Sequence, residues 1–426
     1  METSLKKRIL DLVTTFYLES HDFNGIPYGS LPATLGTADP SVRKSLGMLV
    51  KERKASVVFG DVHPNPHIRA LPDHPSDVQL KKIETDQILT ACVYPLPGHL
   101  ESVVPASHLV DRPFTRMLAL GEPQLVHLAF DLSVLEYYRN DPRYLYENDD
   151  IRGSICISDN YYESESTADP DKIVLDTFGF AYDESFNRAV AVFLRYLSDL
   201  TPEHQQVWRA KLLKGVYRLH PDYYRNTIIG DFGERISIFN AFMAELRVIN
   251  AMAAAMGRPP MFRHDFADQK PRGFAFLVRP TLKEFNDFVL TLDKMISDNI
   301  NKAFFEGDVP GETEQERKDG KVVVQPRGTL AMLEDWIRTY FNANTWEDIN
   351  EALITLKRVR SLRQSPAHAI NEDMFDQKYF HDQRQLVLDA YSAIRLLRLV
   401  LANHPHVRRA DIEIEEHLKQ GLIWSF

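Results

Sequence analysis

An arginine and a histidine stand five positions apart where a predicted amphipathic helix ends. They are Arg363 and His368, in the stretch RSLRQSPAHAI at 360–370. The ordinary pKa of a histidine lies near neutrality, so its imidazole can take a proton from a ribose hydroxyl or return one. The arginine fork can stabilise the negative charge that builds on a phosphate. The pair could therefore carry out acid–base chemistry next to a phosphate.

The apolar pattern of the preceding helix bears on how these side chains are presented. The apolar stripe of this helix consists of Trp346, Ile349, Leu353 and Leu356. The same spacing continues to Arg360 and Arg363. A guanidinium that faces a bundle interior is costly unless it meets an anion or lines a wet cleft. Alternatively, the stripe shifts to Val359 and Leu362 and leaves both arginines at the rim, and in either case the proline that follows ends the helix.

Four amphipathic helices are predicted in the C-terminal third, at about 281–304, 329–341, 346–364 and 379–402. Broad apolar faces on consecutive helices indicate a bundle. A bundle with an arginine, four to six residues and then a histidine resembles the HEPN ribonuclease family. The resemblance extends over roughly 281–405, about 30% of the chain. Arg69 with His74 and Arg398 with His404 have compatible spacing, but the bundle, the helix end and the basic surroundings favour the first pair.

The resemblance implies metal-independent RNA cleavage, with His368 as the base or acid and Arg363 as the phosphate stabiliser. Lys357, Arg358 and Arg360 would hold the RNA backbone electrostatically. The resemblance also implies a homodimer that brings two motifs together, a toxin or phage-defence setting, and no cofactor or metal. From the residues alone another interpretation stays open, in which both side chains bind carbonyls at a helix C-terminus, where cations are favoured.

The composition is that of a soluble protein with several domains. The chain has 426 residues, of which 44% are apolar and 26% charged, and this length favours two to four domains. The two cysteines, Cys92 and Cys156, exclude a disulfide scaffold and a cysteine-rich zinc module, and they indicate a reducing, cytoplasmic setting. Neither a transmembrane segment nor a signal peptide is predicted, so we expect no membrane partner.

The charge is unevenly distributed. The net charge is −10, which argues against a chain coated in nucleic acid. Residues 350–409, however, hold 10 Lys and Arg against 6 Asp and Glu, a net charge of +4, so the remainder carries −14. The candidate pair therefore lies in a basic segment of an acidic protein, which fits an RNA-binding surface and also an ordinary solvated face.

The N-terminal segment 1–80 is predicted to contain a helix, a basic helix at 37–54 and a β-hairpin with strands at 55–59 and 67–71. This order resembles a winged helix-turn-helix, in which the basic helix enters the DNA major groove. The resemblance implies duplex DNA contacts by Arg43, Lys44, Lys51, Arg53 and Lys54. Residues 1–75 hold 9 basic and 8 acidic residues, so a protein-interaction module remains the alternative.

Three potential metal ligands occur in the stretch GDVHPNPH. They are Asp61, His63 and His67, and their spacing could suggest a metal site. Two prolines and a turn explain the same stretch as a stiff loop. We therefore predict no metal site here.

The segment 90–278 mixes β-prone runs with helical patterns. It is predicted to be an α/β region that senses a ligand or links the outer modules. Helices are expected at 184–198, 202–214 and 234–256. The sequence contains no G-x-x-x-x-G-K-[ST] loop, and no G-x-G-x-x-G follows a predicted strand.

The sequence thus predicts a mainly α protein with α+β parts. It would comprise a winged-helix-like module at 1–80, an α/β middle region at 90–278 and a HEPN-like helical bundle at 280–426. The first functional hypothesis is RNA cleavage by the bundle. The alternative is a non-enzymatic DNA-binding transcriptional regulator that dimerises through the bundle.

Overall fold

The structure, a computed structural model, describes most of the chain as two compact units. The described residues are 2–61, 65–70, 73–149, 151–233, 235–267, 269–316, 322–342, 345–364 and 372–424. Unit 1 comprises Met1–Glu147 and Arg152–Thr227, and unit 2 comprises Asn148–Ile151 and Ile228–Phe426. Helices hold about 51% of the residues and strands about 15%, so the mainly α class is confirmed.

Unit 1 begins with helices and continues into an antiparallel sheet. Its helices are α1 (Glu2–Glu19), α2 (Leu31–Leu35), α3 (Asp39–Lys51), α4 (Ser76–Ile83), α5 (Pro97–Val103), α6 (Pro113–Ala119), α7 (Glu136–Arg139), α8 (Asp159–Tyr162), α9 (Leu194–Ser198), α10 (Pro202–Ala210) and α11 (Pro221–Tyr224). Its strands are β1 (Ile26–Pro27), β2 (Ala55–Val58), β3 (Cys92–Pro95), β4 (His127–Phe130), β5 (Tyr144–Asn148), β6 (Arg152–Ile157), β7 (Val174–Tyr182), β8 (Arg188–Phe193) and β9 (Arg218–Leu219).

The N-terminal part of unit 1 packs three helices on a three-stranded sheet. The strand order is β1-β3-β2, and both pairs are antiparallel. α3 begins at Asp39 with Pro40 in its first turn, where a proline loses no helical hydrogen bond. Its inner face, Val42, Leu46 and Leu49, joins one apolar core with α1 and β3. The basic helix predicted at 37–54 is therefore confirmed over Asp39–Lys51.

The predicted hairpin is wrong in its second strand. β2 pairs with β3, so that Ala55 lies opposite Pro95 and Val58 opposite Cys92. Residues 65–70 form turns and bends. The segment between the two paired strands instead contains α4, which packs against α3.

A six-stranded sheet forms most of the remaining β structure of unit 1. Its order is β4-β8-β7-β6-β5, with β9 paired to β7. Four pairs in this sheet are antiparallel: β4–β8, β8–β7, β7–β6 and β7–β9. The α/β region predicted at 90–278 would instead favour parallel neighbours, because its strands would alternate with helices. The helix predicted at 184–198 is wrong, because β8 occupies the middle of that range and only α9, at its end, is helical. The helix expected at 202–214 is α10, which ends at Ala210.

Unit 2 is mainly helical. Its helices are α12 (Ile238–Ala255), α13 (Leu282–Met295), α14 (Thr329–Tyr340), α15 (Glu347–Gln364), α16 (Lys378–Ala402), α17 (Pro405–Arg409) and α18 (Glu416–Gln420). Its strands are β10 (Ile236–Ser237), β11 (Glu312–Glu316), β12 (Val322–Pro326) and β13 (Ile423–Trp424). α12 to α16 share one apolar core. The helices predicted at 234–256, 329–341, 346–364 and 379–402 are confirmed to within a few residues.

Other parts of unit 2 differ from the prediction. α13 begins as expected, with the Thr281 hydroxyl accepting from the Glu284 amide at 3.2 Å, but it ends at Met295. The segment between α13 and α14 contains the antiparallel pair β11 and β12. The C-terminal tail packs on the rest of unit 2, because β13 pairs in parallel with β10 and Leu418 is fully buried.

α12 is long and apolar enough to cross a membrane by length and composition alone, with a mean hydropathy of 1.2. However, 67% of its residues are buried inside the protein. Burial of this extent is typical of the core helix of a soluble protein.

Candidate functional site

The last two turns of α15 determine how the arginines of the candidate site are presented. Val359 is fully buried and Leu362 packs partly buried against the apolar core, whereas Arg360 and Arg363 are partly exposed and pair with Asp298. The apolar stripe has therefore shifted by one residue, which is the second arrangement considered from the sequence. The structure describes α15 as far as Gln364, and the proline at 366 lies outside the described residues.

Arg363 reaches from α15 to two carboxylates near the end of α13. Its Nη1 donates to Oδ2 of Asp293 at 2.7 Å and to Oδ2 of Asp298 at 2.5 Å. Asp293 has no exposed surface, whereas the Arg363 side chain is 32% exposed. The hydrogen bond to Asp293, with a second contribution from the hydrogen bond to Asp298, raises the pKa of the Arg363 guanidinium above its usual range. The arginine therefore stays charged and is held from its inner side.

Other polar groups fix the buried carboxylate. The Ser297 hydroxyl donates to Oδ1 of Asp293. The Thr329 hydroxyl donates to the Ser297 carbonyl at 2.7 Å, and Thr329 is the first residue of α14. Both oxygens of Asp293 are thus bonded, as a buried charge requires. The polar network that anchors Arg363 consequently draws on α13, the turn after it, α14 and α15.

One edge of the Arg363 guanidinium has no partner among the described residues. Both carboxylates bind Nη1, and no hydrogen bond or ion pair with the described residues involves Nε or Nη2. Nε and one Nη of an arginine form parallel donors that match two phosphate oxygens. An anion can therefore bind without first breaking the Asp293 pair. His368 belongs to 365–371, outside the described residues.

Asp298 bridges two of the arginines. Its Oδ2 accepts from Arg363, and its Oδ1 lies 3.7 Å from Nη1 of Arg360. Asp298 is itself exposed, so solvent weakens both pairs. The structure thus brings Arg360 and Arg363 to one carboxylate at the surface of unit 2.

Lys357 and Arg358, the other residues predicted to hold RNA, point to different partners. Lys357 donates to Oε2 of Glu334 at 2.5 Å, and Nη1 of Arg358 lies 3.4 Å from Oδ2 of Asp389. Both basic side chains are exposed. Surface pairs of this kind contribute little and exchange readily with a phosphate. Neither pair adjoins the Asp293 network.

The two other pairs with compatible spacing have saturated arginines. Nε and Nη2 of Arg69 donate to Asp73 at 3.0 and 2.7 Å, and its Nη1 donates to the Gly121 carbonyl at 3.0 Å. Arg398 is buried and donates through Nε and Nη2 to the buried Glu245. Since their fork donors are occupied, neither arginine presents an open edge like that of Arg363.

Among the basic residues of the N-terminal part, Arg43 serves the fold. Its Nε donates to Asp39 at 2.6 Å, and its Nη1 donates to the carbonyls of Ile83 and Thr85 at 2.7 Å. These bonds fasten the end of α4 to α3. The hydrogen bond to Asp39 raises the pKa of Arg43 above its usual range. Arg43 therefore has a structural role, and its contact with DNA stays a prediction.

The remaining predicted DNA contacts are exposed. Lys44 and Lys51 lie on α3 seven positions apart, on the outer stripe of the helix. Arg53 follows the helix with a positive φ of 53°, and Lys54 pairs with Glu52 at 3.3 Å. The two lysines of α3 are thus better placed than Arg43 to meet a polyanion.

In the segment predicted as a loop, the carboxylate of Asp61 forms ion pairs. Asp61 accepts from Nζ of Lys82 and lies 3.1 Å from Nε2 of His74. The His67 amide donates to a neighbouring side chain, and His63 lies outside the described residues. Among the described residues, no three or more His, Cys, Asp or Glu are grouped so as to hold a metal ion.

Sequence reasoning missed Asp293 and Asp298, the partners of Arg363. A signal for Asp293 exists, because it interrupts the apolar stripe between Val289 and Ile296 at helical spacing. A charged residue in the stripe of one helix and an arginine beside the stripe of another predict an ion pair.

No family model, curated protein or solved structure that we compared matches the chain.

Proposed function

We propose that unit 2 is a metal-independent endoribonuclease of the HEPN type, with Arg363 and His368 as its catalytic pair. The observation that best supports the proposal is that only one nitrogen of the Arg363 guanidinium, Nη1, is bonded to carboxylates that the structure describes. Nη1 is anchored by the buried Asp293, while Nε and Nη2 have no acceptor within the described part of the chain. An arginine fixed on one edge and open on the other can hold a phosphate in a single orientation.

The proposed reaction is an internal transesterification. His368 takes the proton of a ribose 2′-hydroxyl, and the resulting oxygen attacks the adjacent phosphorus. The bond to the 5′-oxygen breaks, and that oxygen leaves with a proton, so the products are a 2′,3′-cyclic phosphate and a 5′-hydroxyl end. Arg363 stabilises the charge on the phosphate as the new bond forms.

Assembly and setting belong to the same proposal. A homodimer formed through α15 and α16 would add a second Arg363 and His368, so that one histidine acts as base and the other as acid. Arg360 would bind the RNA backbone beside the scissile phosphate, and Lys357 and Arg358 would do so farther along α15. A ribonuclease of this kind would act as a toxin or in phage defence.

The test is RNA cleavage by the full chain in EDTA. A fluorophore-labelled RNA is incubated with the wild type, Arg363→Ala and a matched control, Arg247→Ala. Arg247 has a similar exposed fraction, 36%, and an ion pair at 3.5 Å to Glu415 in unit 2. We expect cleavage by the wild type and the control and a loss of roughly two to three orders of magnitude for Arg363→Ala. Intact RNA with the wild type would refute the proposal.

A second candidate function rests on the N-terminal part of unit 1. The element order α1-β1-α2-α3-β2-α4-β3 and the strand order β1-β3-β2 favour a winged-helix module with α4 inserted between its last two strands, and α3 would be the helix that enters the groove. Lys44 and Lys51 lie on its outer stripe. In this alternative the chain is a DNA-binding regulator that dimerises through the bundle. A mobility shift of duplex DNA together with uncut RNA would favour it.

A further inference from the structure

A cavity of about 600 Å³ lies in unit 2 away from Arg363. It is lined by the end of α14, the start of α15, the end of α16 and the residues that lead into and form α17. Asp348 lines it at the start of α15, whereas Arg363 is at the end of the same helix. With a rise of 1.5 Å per residue, the two residues are about 22 Å apart along the helix axis. The cavity is therefore separate from the proposed ribonuclease site.

Aromatic side chains form one wall of this cavity. Trp336 is buried, and its Nε1 donates to Asp308 at 2.9 Å, which fixes the ring. The Tyr340 ring lies beside it with a centroid separation of 6.0 Å and is exposed. Apolar side chains of α15 and α16 extend this wall into the cavity. A fixed and partly exposed aromatic surface suits the flat face of a nucleobase.

Basic groups also belong to the lining. Nη2 of Arg408 donates to Oδ1 of Asn403 at 2.7 Å, and Nδ2 of Asn403 donates to the Leu399 carbonyl at 3.0 Å. The amide of Asn403 thus fixes the guanidinium of Arg408 at the cavity. The Nδ1 of His404 accepts from the His406 amide at 3.3 Å, so Nε2 of the neutral ring is a donor. An arginine and an imidazole N–H that are held in place suit a phosphate.

The state of His404 agrees with this function. Burial, together with the neighbouring His406 and Arg258, holds the pKa of His404 below its usual range. The ring is therefore neutral near pH 7, with its proton on Nε2. The exposed carboxylate of Asp348 supplies an acceptor, which suits the hydroxyls of a ribose.

We infer that this cavity binds a nucleoside 5′-monophosphate. The base would stack on Tyr340, the ribose hydroxyls would donate to Asp348, and Arg408 with His404 would hold the phosphate. A volume of about 600 Å³ is within the usual range for small-ligand sites, roughly 300 to 1,000 Å³. The inference is independent of the proposed ribonuclease, because it uses different residues at the other end of α15.

The test is isothermal titration calorimetry on the full chain. AMP, GMP, CMP and UMP are titrated separately, with adenosine, ribose 5-phosphate and inorganic phosphate as partial probes. We expect one site, with the tightest mononucleotide binding at least tenfold more tightly than ribose 5-phosphate or inorganic phosphate. Arg408→Ala should weaken that nucleotide tenfold or more and leave adenosine unchanged. Tyr340→Ala should weaken both, roughly five- to a hundredfold, by removing the stacking surface.

The matched control is Arg409→Ala, which removes a neighbouring exposed arginine that does not line the cavity. Its affinity for the nucleotide should equal that of the wild type. Tyr340→Phe, which keeps the ring, should bind like the wild type, and this separates stacking from a loss of folding. The absence of nucleotide binding at millimolar concentration would overturn the inference. Equal affinity for inorganic phosphate, or unchanged affinity in both Arg408→Ala and Tyr340→Ala, would overturn it too.

Discussion

Nη1 of Arg363 lies 2.7 Å from Oδ2 of Asp293, a carboxylate with no exposed surface. Removing the arginine would leave that carboxylate with the Ser297 hydroxyl and no cation. An unpaired buried charge is costly, so Arg363 supports the fold of unit 2 whether or not it takes part in catalysis. A loss of activity in Arg363→Ala therefore needs a variant that separates the two roles.

The first prediction uses Asp293 to make that separation. Arg363→Ala should lower the free energy of unfolding by about 2 kcal/mol, because it leaves the buried carboxylate of Asp293 without a cation. The partial exposure of Arg363 limits the loss. Arg363→Ala combined with Asp293→Asn should recover most of that loss, since the amide needs no cation. Urea unfolding of full-length protein measures both, and Arg247→Ala should stay within about 0.5 kcal/mol of the wild type.

RNA cleavage by the same variants completes the comparison. If Arg363 stabilises the phosphate, the double variant regains stability and stays inactive. If Arg363 only supports the fold, the double variant regains stability and activity together, and the catalytic assignment is wrong.

The second prediction concerns proton transfer. His368→Ala should slow cleavage by about two to four orders of magnitude, because a positioned general base is lost. Arg363→Lys should keep a charge yet remain well below the wild type, because an ammonium lacks the planar fork. Both effects should be unchanged in EDTA, and the products should carry 2′,3′-cyclic phosphates. Restoration of His368→Ala activity by added Mg²⁺ would contradict a metal-independent mechanism.

The elements that local patterns specify were predicted well. α3 and the helices of the bundle follow apolar spacing and end signals that lie within one short segment. β8 was missed because AVAVFL, at 189–194, is a continuous apolar run that fits a buried strand as well as a buried helix. The partner of β2 was missed because β3 lies more than thirty residues further along the chain. A local turn signal contains no information about such a distant pairing.

The candidate site shows the same division between local and distant information. The stretch around Arg363 was identified from its own residues, because basic side chains interrupt an apolar stripe just before a proline. Its partner Asp293 lies 70 residues earlier, and only the meeting of two helices joins them. The structural role of Arg43 was missed for a similar reason, since the carbonyls that it binds belong to the segment inserted after β2.

The third prediction concerns assembly. The apolar side chain of Ile354 on α15 is 64% exposed in the single chain. This exposure fits a helix that is expected to meet a second copy. We expect a homodimer in light scattering at micromolar concentration. Ile354→Lys should convert it to a monomer with reduced cleavage, because a charge cannot be buried there without a partner. The control is Val324→Lys on β12, where the side chain is 53% exposed, and it should leave the dimer intact. A monomeric wild type with full activity would contradict the prediction.

The fourth prediction concerns the buried pair of Glu245 and Arg398, which joins α12 to α16. Arg398→Met alone should cost about 3–5 kcal/mol of unfolding free energy, because Glu245 keeps an uncompensated charge. Arg398→Met with Glu245→Leu should return to within about 2 kcal/mol of the wild type. The double variant should cleave RNA like the wild type, since Arg398 has no open fork. A cleavage defect in this stable double variant would indicate that Arg398 with His404 is the true catalytic pair.

The fifth prediction separates binding from folding in the N-terminal part. Lys44→Ala and Lys51→Ala should weaken duplex DNA binding at low salt, and each should reduce the slope of log affinity against log salt by about one, as expected for a lost phosphate contact. Arg43→Ala should instead lower the melting temperature, because it breaks the bonds that hold the end of α4 to α3. Lys7→Ala, which removes an exposed lysine on α1, is the control and should change neither property.

If the wild type gives no mobility shift even at low salt, the exposed stripe of α3 is not a DNA-binding surface. If Lys44→Ala and Lys51→Ala leave the salt slope unchanged, any DNA binding belongs to another surface of the protein.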